Sequence, residues 1–477
     1  MSLLYVVVLA VIVVVLLGVA LYRTALVKTK ADYLLAGRSL PAVVLVLTLL
    51  TSWIGAGSLF AGAENAYRNG FAALWIPAGG WLGLLLIYFI APRARKFAQF
   101  TLPDLLEARY NQTARVLGTI AILFAYVGIT SYQFKGGGNV LHLIFPETVT
   151  PELGTYMIAA FVIVTTALAG MSSVAYMDVV IGSLVTVICI IAAPALFLKT
   201  GGWVGLHAVL PATHFQILGN LTLVHAFEFL VPVLMLMLGN QVMYQKFFSA
   251  RSERDARVSV VGWILGTVLL ETLIVAIAVF GSALYPTGEV AAQPYEIIPY
   301  TARHGLPALL GALLLGALFA KVVSTASNYL FSPATNLVND VFVRYIAPGA
   351  SNKRVLIVSR LAVVLLGCWA LYQAVYAESV LKKMMWAYTI YAAAITPVVL
   401  AAFYSKRATA WGAVAAIGSG TAVTLAWDLP GLREVLPRIL GDRDAIFPAL
   451  FAAVAALVVV SLVTAKPSAK QLEQFAE

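Results

Sequence analysis

Apolar residues in this chain run in blocks of about 20, the length a helix needs to cross ~30 Å of hydrocarbon, with short polar stretches between them. Thirteen blocks are legible, near residues 2–22, 41–67, 72–91, 116–144, 153–170, 177–198, 221–245, 258–284, 306–336, 355–377, 384–404, 409–427 and 445–465. They predict an all-α integral membrane protein with about 13 transmembrane helices. The first block is longer than a signal peptide's apolar region and no small-residue cleavage site follows it, so it is expected to stay as a span. An odd number of crossings puts the termini on opposite sides. With the amino terminus outside and the carboxyl terminus cytoplasmic, most lysines and arginines fall on inner loops, in keeping with the positive-inside rule.

Polar residues inside the blocks carry the chemistry. In GALLLGALFAKVVSTASNYLFSPATNLVND, residues 311–340, a helix aligns Lys321, Ser324, Thr325 and Asn328 on one face, with Ser327 beside them. Such a stripe faces a cavity, a partner helix or an ion, or its hydroxyls bond back to their own backbone. Two blocks look interrupted. Gly55, Gly57 and Ser58 weaken the second at mid-depth, and Pro232 with the Gly239-Asn240 pair is expected to do the same in the seventh. Interrupted spans in corresponding positions of two halves expose backbone carbonyls and amides to a solute and its ions.

Composition agrees with the pattern and removes other classes. The 477 residues are 61% hydrophobic and 11% charged, with mean hydropathy +0.93. The formal charge of +10 lies in the loops and is read as membrane topology, with no nucleic-acid partner. Cys189 and Cys368 lack metal-ligand spacing. The sequence holds no nucleotide loop, HExxH cluster, nucleophile elbow or repeated pore filter, so neither an enzyme nor a channel is expected, and no cofactor.

The stretches YLLAGRSLP (33–41), TLPDLLEARY (101–110), ALAGMSSVAYMDVVIG (167–182), GNQVMYQKFFSARSERDAR (239–257) and AKVVSTASN (320–328) together resemble the sodium:solute symporter family. The resemblance implies a leucine-transporter-type fold, a 5+5 inverted repeat with one extra helix before it and two after. Residues 1–40 would be the extra amino-terminal helix and loop, 41–200 the first repeat, 201–404 the second, and 405–477 the two carboxy-terminal helices and tail. It implies a Na⁺ site on backbone oxygens of Thr51, Ile54 and Lys321 and the hydroxyls of Ser324 and Thr325. It also implies a second cation near Asp178, Ser324, Ser327 and Asn328, although Asp178 equally reads as a hydrated acid at a helix end.

Lys321 departs from the family pattern, which has alanine there. An ammonium can occupy much the same space as a bound Na⁺ and repels one nearby, so Lys321 either abolishes sodium coupling, replaces it with proton coupling, or points away and pairs with Asp178. Pro77, Gly80 and Val233 match sugar-binding polar positions, Ser58 matches a glutamine, and Leu236 and Met237 replace an aromatic gate, which disfavours a hexose. Gln133, Lys135, Asn240, Tyr388 and Thr389 remain as solute-binding candidates alongside Ser58, Val233 and Met237. Glu271, deep in an apolar block, needs a partner, a proton or a cavity. The expected function is secondary active symport of a small polar organic solute by alternating access in the cell membrane. An organic acid or amino acid ranks ahead of sugar, and Na⁺ is the first candidate for the coupling cation. Na⁺-independent or H⁺-coupled transport with Lys321 in place of the ion stays open, as does a transporter-like membrane sensor.

Overall fold

The blocks fold into helices whose ends are set by local polar chemistry. The computed structural model describes residues 3–472 apart from 27–28, 98–100, 377–378, 428, 430, 438–440 and 469–470. In chain order the main helices are α1 (Leu3–Thr24), α2 (Ala42–Trp53), α3 (Ala63–Asn69), α4 (Trp75–Phe97), α5 (Gln112–Ile144) and α6 (Pro151–Lys199). They continue with α7 (Leu223–Gly239), α8 (Gln241–Ser249), α9 (Glu253–Leu284), α10 (Ala308–Asn336), α11 (Asn352–Val375), α12 (Val380–Ala394), α13 (Thr396–Tyr404), α14 (Ala410–Trp427) and α15 (Ile446–Val463). Hydroxyls start several of them: Thr150, Thr222 and Ser252 each accept a backbone N–H from the first turn that follows.

Among the described residues, 12 helices are long and apolar enough to cross a membrane, against the 13 blocks expected. The difference lies in the second block. α2 has only 12 residues, and a π-helical turn at Gly57–Gly62 carries the chain through α3 and into α4 as one apolar stretch, Gly57–Arg95. The interruption is at Ile54, whose backbone is extended (φ −81°, ψ 121°), one residue before Gly55. In the seventh block Asn240 (φ −62°, ψ 110°) separates α7 from α8. Pro232, also expected to interrupt that block, sits inside a continuous helix. Each gap frees the carbonyls of one helix end and the amides of the next start.

α6 is one 49-residue run turned at Gly170 (φ 70°, ψ 175°), a conformation L side chains avoid, where a Cβ would also strike the Tyr33 ring. The second membrane crossing therefore begins at Gly170 rather than near 177, and Asp178 lies two turns inside it. α10 packs against α5 and α6, so its polar face is enclosed. The sole β-type pairing among the described residues is a parallel bridge between Leu40, just before α2, and Ala250, just after α8. Leu40 N–H donates to Ser249 O at 3.1 Å, Arg251 N–H to Leu40 O at 2.9 Å, and Arg95 Nε to Ala250 O at 2.7 Å.

Candidate functional site

α10 closes the carboxyl end of α2. A helix leaves its last carbonyls without internal partners and gathers negative potential there. Lys321 Nζ donates to Thr51 O at 2.8 Å and Leu50 O at 3.2 Å. Thr325 Oγ1 lies 2.9 Å from Ile54 O, 3.2 Å from Thr51 O and 3.1 Å from its own Lys321 O, so the hydroxyl serves both the gap and its own helix. The close fit depends on Gly55, because a Cβ there would approach Thr325 Cγ2 to 2.7 Å and Gln133 Nε2 to 2.8 Å. Thr51, Ile54, Lys321 and Thr325 thus meet as the sequence suggested, with the ammonium among them.

Ser324 belongs to the adjoining cluster. Asp178 is buried, not hydrated at a helix end. Ser324 Oγ and Thr48 Oγ1 donate to its two carboxylate oxygens, and Asn328 Nδ2 approaches them at 3.2 and 3.4 Å. The cation beside Asp178 is Lys246 on α8, at 3.4 Å, and not Lys321. Lys246 Nζ also donates to Thr48 O at 2.8 Å and to Ser52 Oγ, which ties α8 to α2. Ser327, grouped with these residues by sequence, is buried, and among the described residues its hydroxyl has no hydrogen-bond partner. Lys246 lies one residue past the 221–245 block, where apolar counting alone makes it a loop cation; the helix restart after Asn240 and the apolar neighbours Met243, Phe247 and Phe248 are the signal that it points inward.

Some of the solute candidates lie at the gaps. Ala56 N–H donates to Gln133 Oε1 at 2.7 Å, just after the gap in the first interrupted span. Asn240 caps α8 through Val242 and Met243 N–H, accepts from Tyr126 OH at 3.0 Å and donates to Tyr329 OH at 2.8 Å. Tyr132 and Tyr388 hydroxyls meet at 3.3 Å. Ser58 Oγ lies 3.4 Å from Glu271 Oε1. Val233, Met237 and Thr389 are buried; among the described residues the Thr389 hydroxyl has no hydrogen-bond partner, and Lys135 is half-buried on α5. A void of about 10 Å³ remains between Trp53, Trp263, Asn240 and Tyr329, about the least that admits one water.

One face of the bundle is locked by charge. Arg115 pairs with Asp104 and Asp340 at 2.6 Å each and with Glu107, while Arg344 reaches Glu107 at 2.6 Å. Burial raises the Glu107 pKa, but bonds and charge from Arg115 and Arg344 outweigh it and hold the carboxyl below the usual glutamate range. Gln241 Nε2 bridges to Ser332 Oγ at 2.8 Å and Asn336 Oδ1 at 2.6 Å, joining α8 to α10 on the same side.

Known proteins share this architecture. A Na⁺-coupled sialic acid symporter in a substrate-bound outward-open state superposes with TM-score 0.83 at 17% identity, over 98% of this chain and 99% of that one. MhsT in complex with L-phenylalanine gives 0.52 at 14% identity, over 88% and 98%. The osmoregulated proline transporter OpuE of Bacillus subtilis is 24% identical over 465 residues, 93% of this chain and 92% of its own. The sodium/proline symporter of Staphylococcus aureus is 26% identical over 461 residues, 92% and 88%. The sodium:solute symporter family model matches residues 33–420, which include both interrupted spans and the whole of α10, and the chain belongs to that family.

Proposed function

We propose that this protein is a secondary active transporter of a small polar organic solute, working by alternating access, with a proton as the coupling cation and Lys321 in the place of sodium. The observation that carries the reading is the Lys321 ammonium bonded to Thr51 O beside Thr325 on Ile54 O, the oxygen set that would otherwise serve the ion. A Na⁺ about 4 Å from that ammonium is opposed by about 4 kcal/mol at an effective dielectric of 20, roughly a thousandfold in affinity. Lys246 on Asp178 places a second fixed charge where a second cation would need the carboxylate. Family membership favours the other reading, in which Na⁺ itself is the coupling ion.

An amino acid or organic acid is the favoured solute. Two of the relatives named above are proline carriers, and the sugar-matching positions Pro77, Gly80 and Val233 offer no side-chain donor. The repeats are assigned to 41–200 and 201–404, and the inner side to the face carrying Leu102–Arg109, where the basic loops cluster. On that assignment the Arg115 network and Gln241 close the inner gate, and transport opens them as the outer side shuts. The test is uptake into proteoliposomes of a panel of labelled amino acids, organic acids and hexoses under imposed proton or sodium gradients. Accumulation driven by the proton gradient in sodium-free buffer is expected; accumulation that follows only the sodium gradient overturns the reading.

A further inference from the structure

Glu271 is the buried acid that the lysine clusters leave unused. It is 4% exposed, in the interior of α9. Trp53 Nε1 donates to Oε1 at 3.1 Å, Ser58 Oγ lies 3.4 Å from the same oxygen, and Trp81 Nε1 donates to Oε2 at 2.9 Å. Trp53 is the last residue of α2 and Ser58 lies beyond the gap, so this one carboxyl group clasps the first interrupted span from both sides of its break. All three donors are neutral, and among the described residues no basic side chain forms an ion pair with it. The ionisable groups that act on it through space are Lys321 from α10 and the Tyr388 phenol from α12, neither bonded to it.

We propose, building on proton coupling as read above, that Glu271 is the site that takes up the transported proton, and that its protonation loosens the clasp across the gap. A charge deep in the bilayer without a counter-ion has to be neutralised or exposed to water. The space beside Trp53 is about 10 Å³, too little for an ammonium-bearing solute, whereas a proton needs none. The step forms one O–H bond on a carboxylate oxygen with a proton from the outer medium and breaks the same bond when the proton leaves on the inner side. Hydrogen bonds to an ionised acceptor are roughly twice as strong as those to a neutral one. Proton binding therefore weakens the hold on Trp53 and Ser58 together, at the point where the two halves of the span must turn, while Lys321 keeps the α2 carbonyls capped.

The test needs no solute. Purified protein is titrated across the neutral range while the infrared carboxylic-acid C=O band and tryptophan fluorescence are recorded together. In E271Q the amide would point an N–H at the Trp81 N–H, so E271Q/W81F, which removes the surplus donor, is measured with W81F as its control. The expected result is a protonated-carboxyl band and a parallel fluorescence change in the native protein and in W81F, both lost in E271Q/W81F. A band that persists unchanged in E271Q/W81F, or its absence from the native protein, overturns the assignment. Radioactive sodium binding to the same preparations separates the two ideas: saturable binding by the native protein defeats the coupling reading, whatever Glu271 does in the titration.

Discussion

On the proposed reading, replacing Lys321 with alanine should turn a protein indifferent to sodium into one that binds it. The substitution removes the side chain beyond Cβ, leaving room for about two waters or one cation. It uncovers Leu50 O and Thr51 O beside Ile54 O and Thr325 Oγ1, all oxygen ligands suited to a hard cation, with the residue 321 carbonyl still 3.1 Å from the Thr325 hydroxyl. Two charge-assisted hydrogen bonds are lost, worth about 1.5–3 kcal/mol each, but a buried ammonium whose desolvation costs several kcal/mol leaves with them. Stability without sodium should therefore change little. Removing the repulsion is worth about 4 kcal/mol of sodium affinity, near a thousandfold. If the variant binds Na⁺ at about one hundredth of the NaCl concentration used, sodium adds about 2.7 kcal/mol of stability. Thermal unfolding in detergent, in NaCl and in choline chloride at equal ionic strength, reads this as a rise in Tm of the variant alone. Native protein that gains the same stabilisation, or a folded variant that shows none, would refute the reasoning.

Three further outcomes follow from the geometry. Lys246→Met leaves Asp178 buried without its cation and should cost about 3–5 kcal/mol, whereas adding Asp178→Asn should recover much of that loss in a double-mutant cycle read by thermal unfolding. Gly55→Ala forces a methyl against Thr325 and Gln133 and should destabilise by about 1–3 kcal/mol, with solute-independent loosening visible as faster amide exchange at the gap. Glu107 carries a lowered pKa in the fold, so the stability it contributes is present above the ordinary glutamate range and is lost as pH falls through the lower, folded-state value; Glu107→Gln should flatten that acid limb of Tm against pH.

Much of the site could be read in the chain because helical spacing is rigid. Once 306–336 is a helix, Lys321, Ser324, Thr325 and Asn328 must share a face, and an interruption near Gly55 must release carbonyls for them. Thr51 and Ile54 were matched to that face by the family resemblance and not by spacing; their carbonyls bond Lys321 and Thr325 directly. Asp178 was harder to place, because the start of its helix depends on the backbone sign at Gly170, which apolar counting does not register. Lys246 was hidden for a similar reason: the gap at Asn240 turns what reads as a loop approach into a new helix that points the lysine inward. Pro232 misled because losing one amide in a helix is tolerable where neighbours pack around it, while the extended backbone at Asn240 makes the real break. The partners of Glu271 stand 190 and 218 residues away, and no local pattern links them.

The bridge between Leu40 and Ala250 couples the half-helix before the first gap to the half-helix after the second. Because α2 and α8 are laced together at the ends away from the gaps by that pairing and again nearer the gaps by Lys246, a displacement of one carries the other with it. On the proposed alternating-access reading the pair acts as a two-rod lever, so that an event felt at one gap is delivered mechanically to the other.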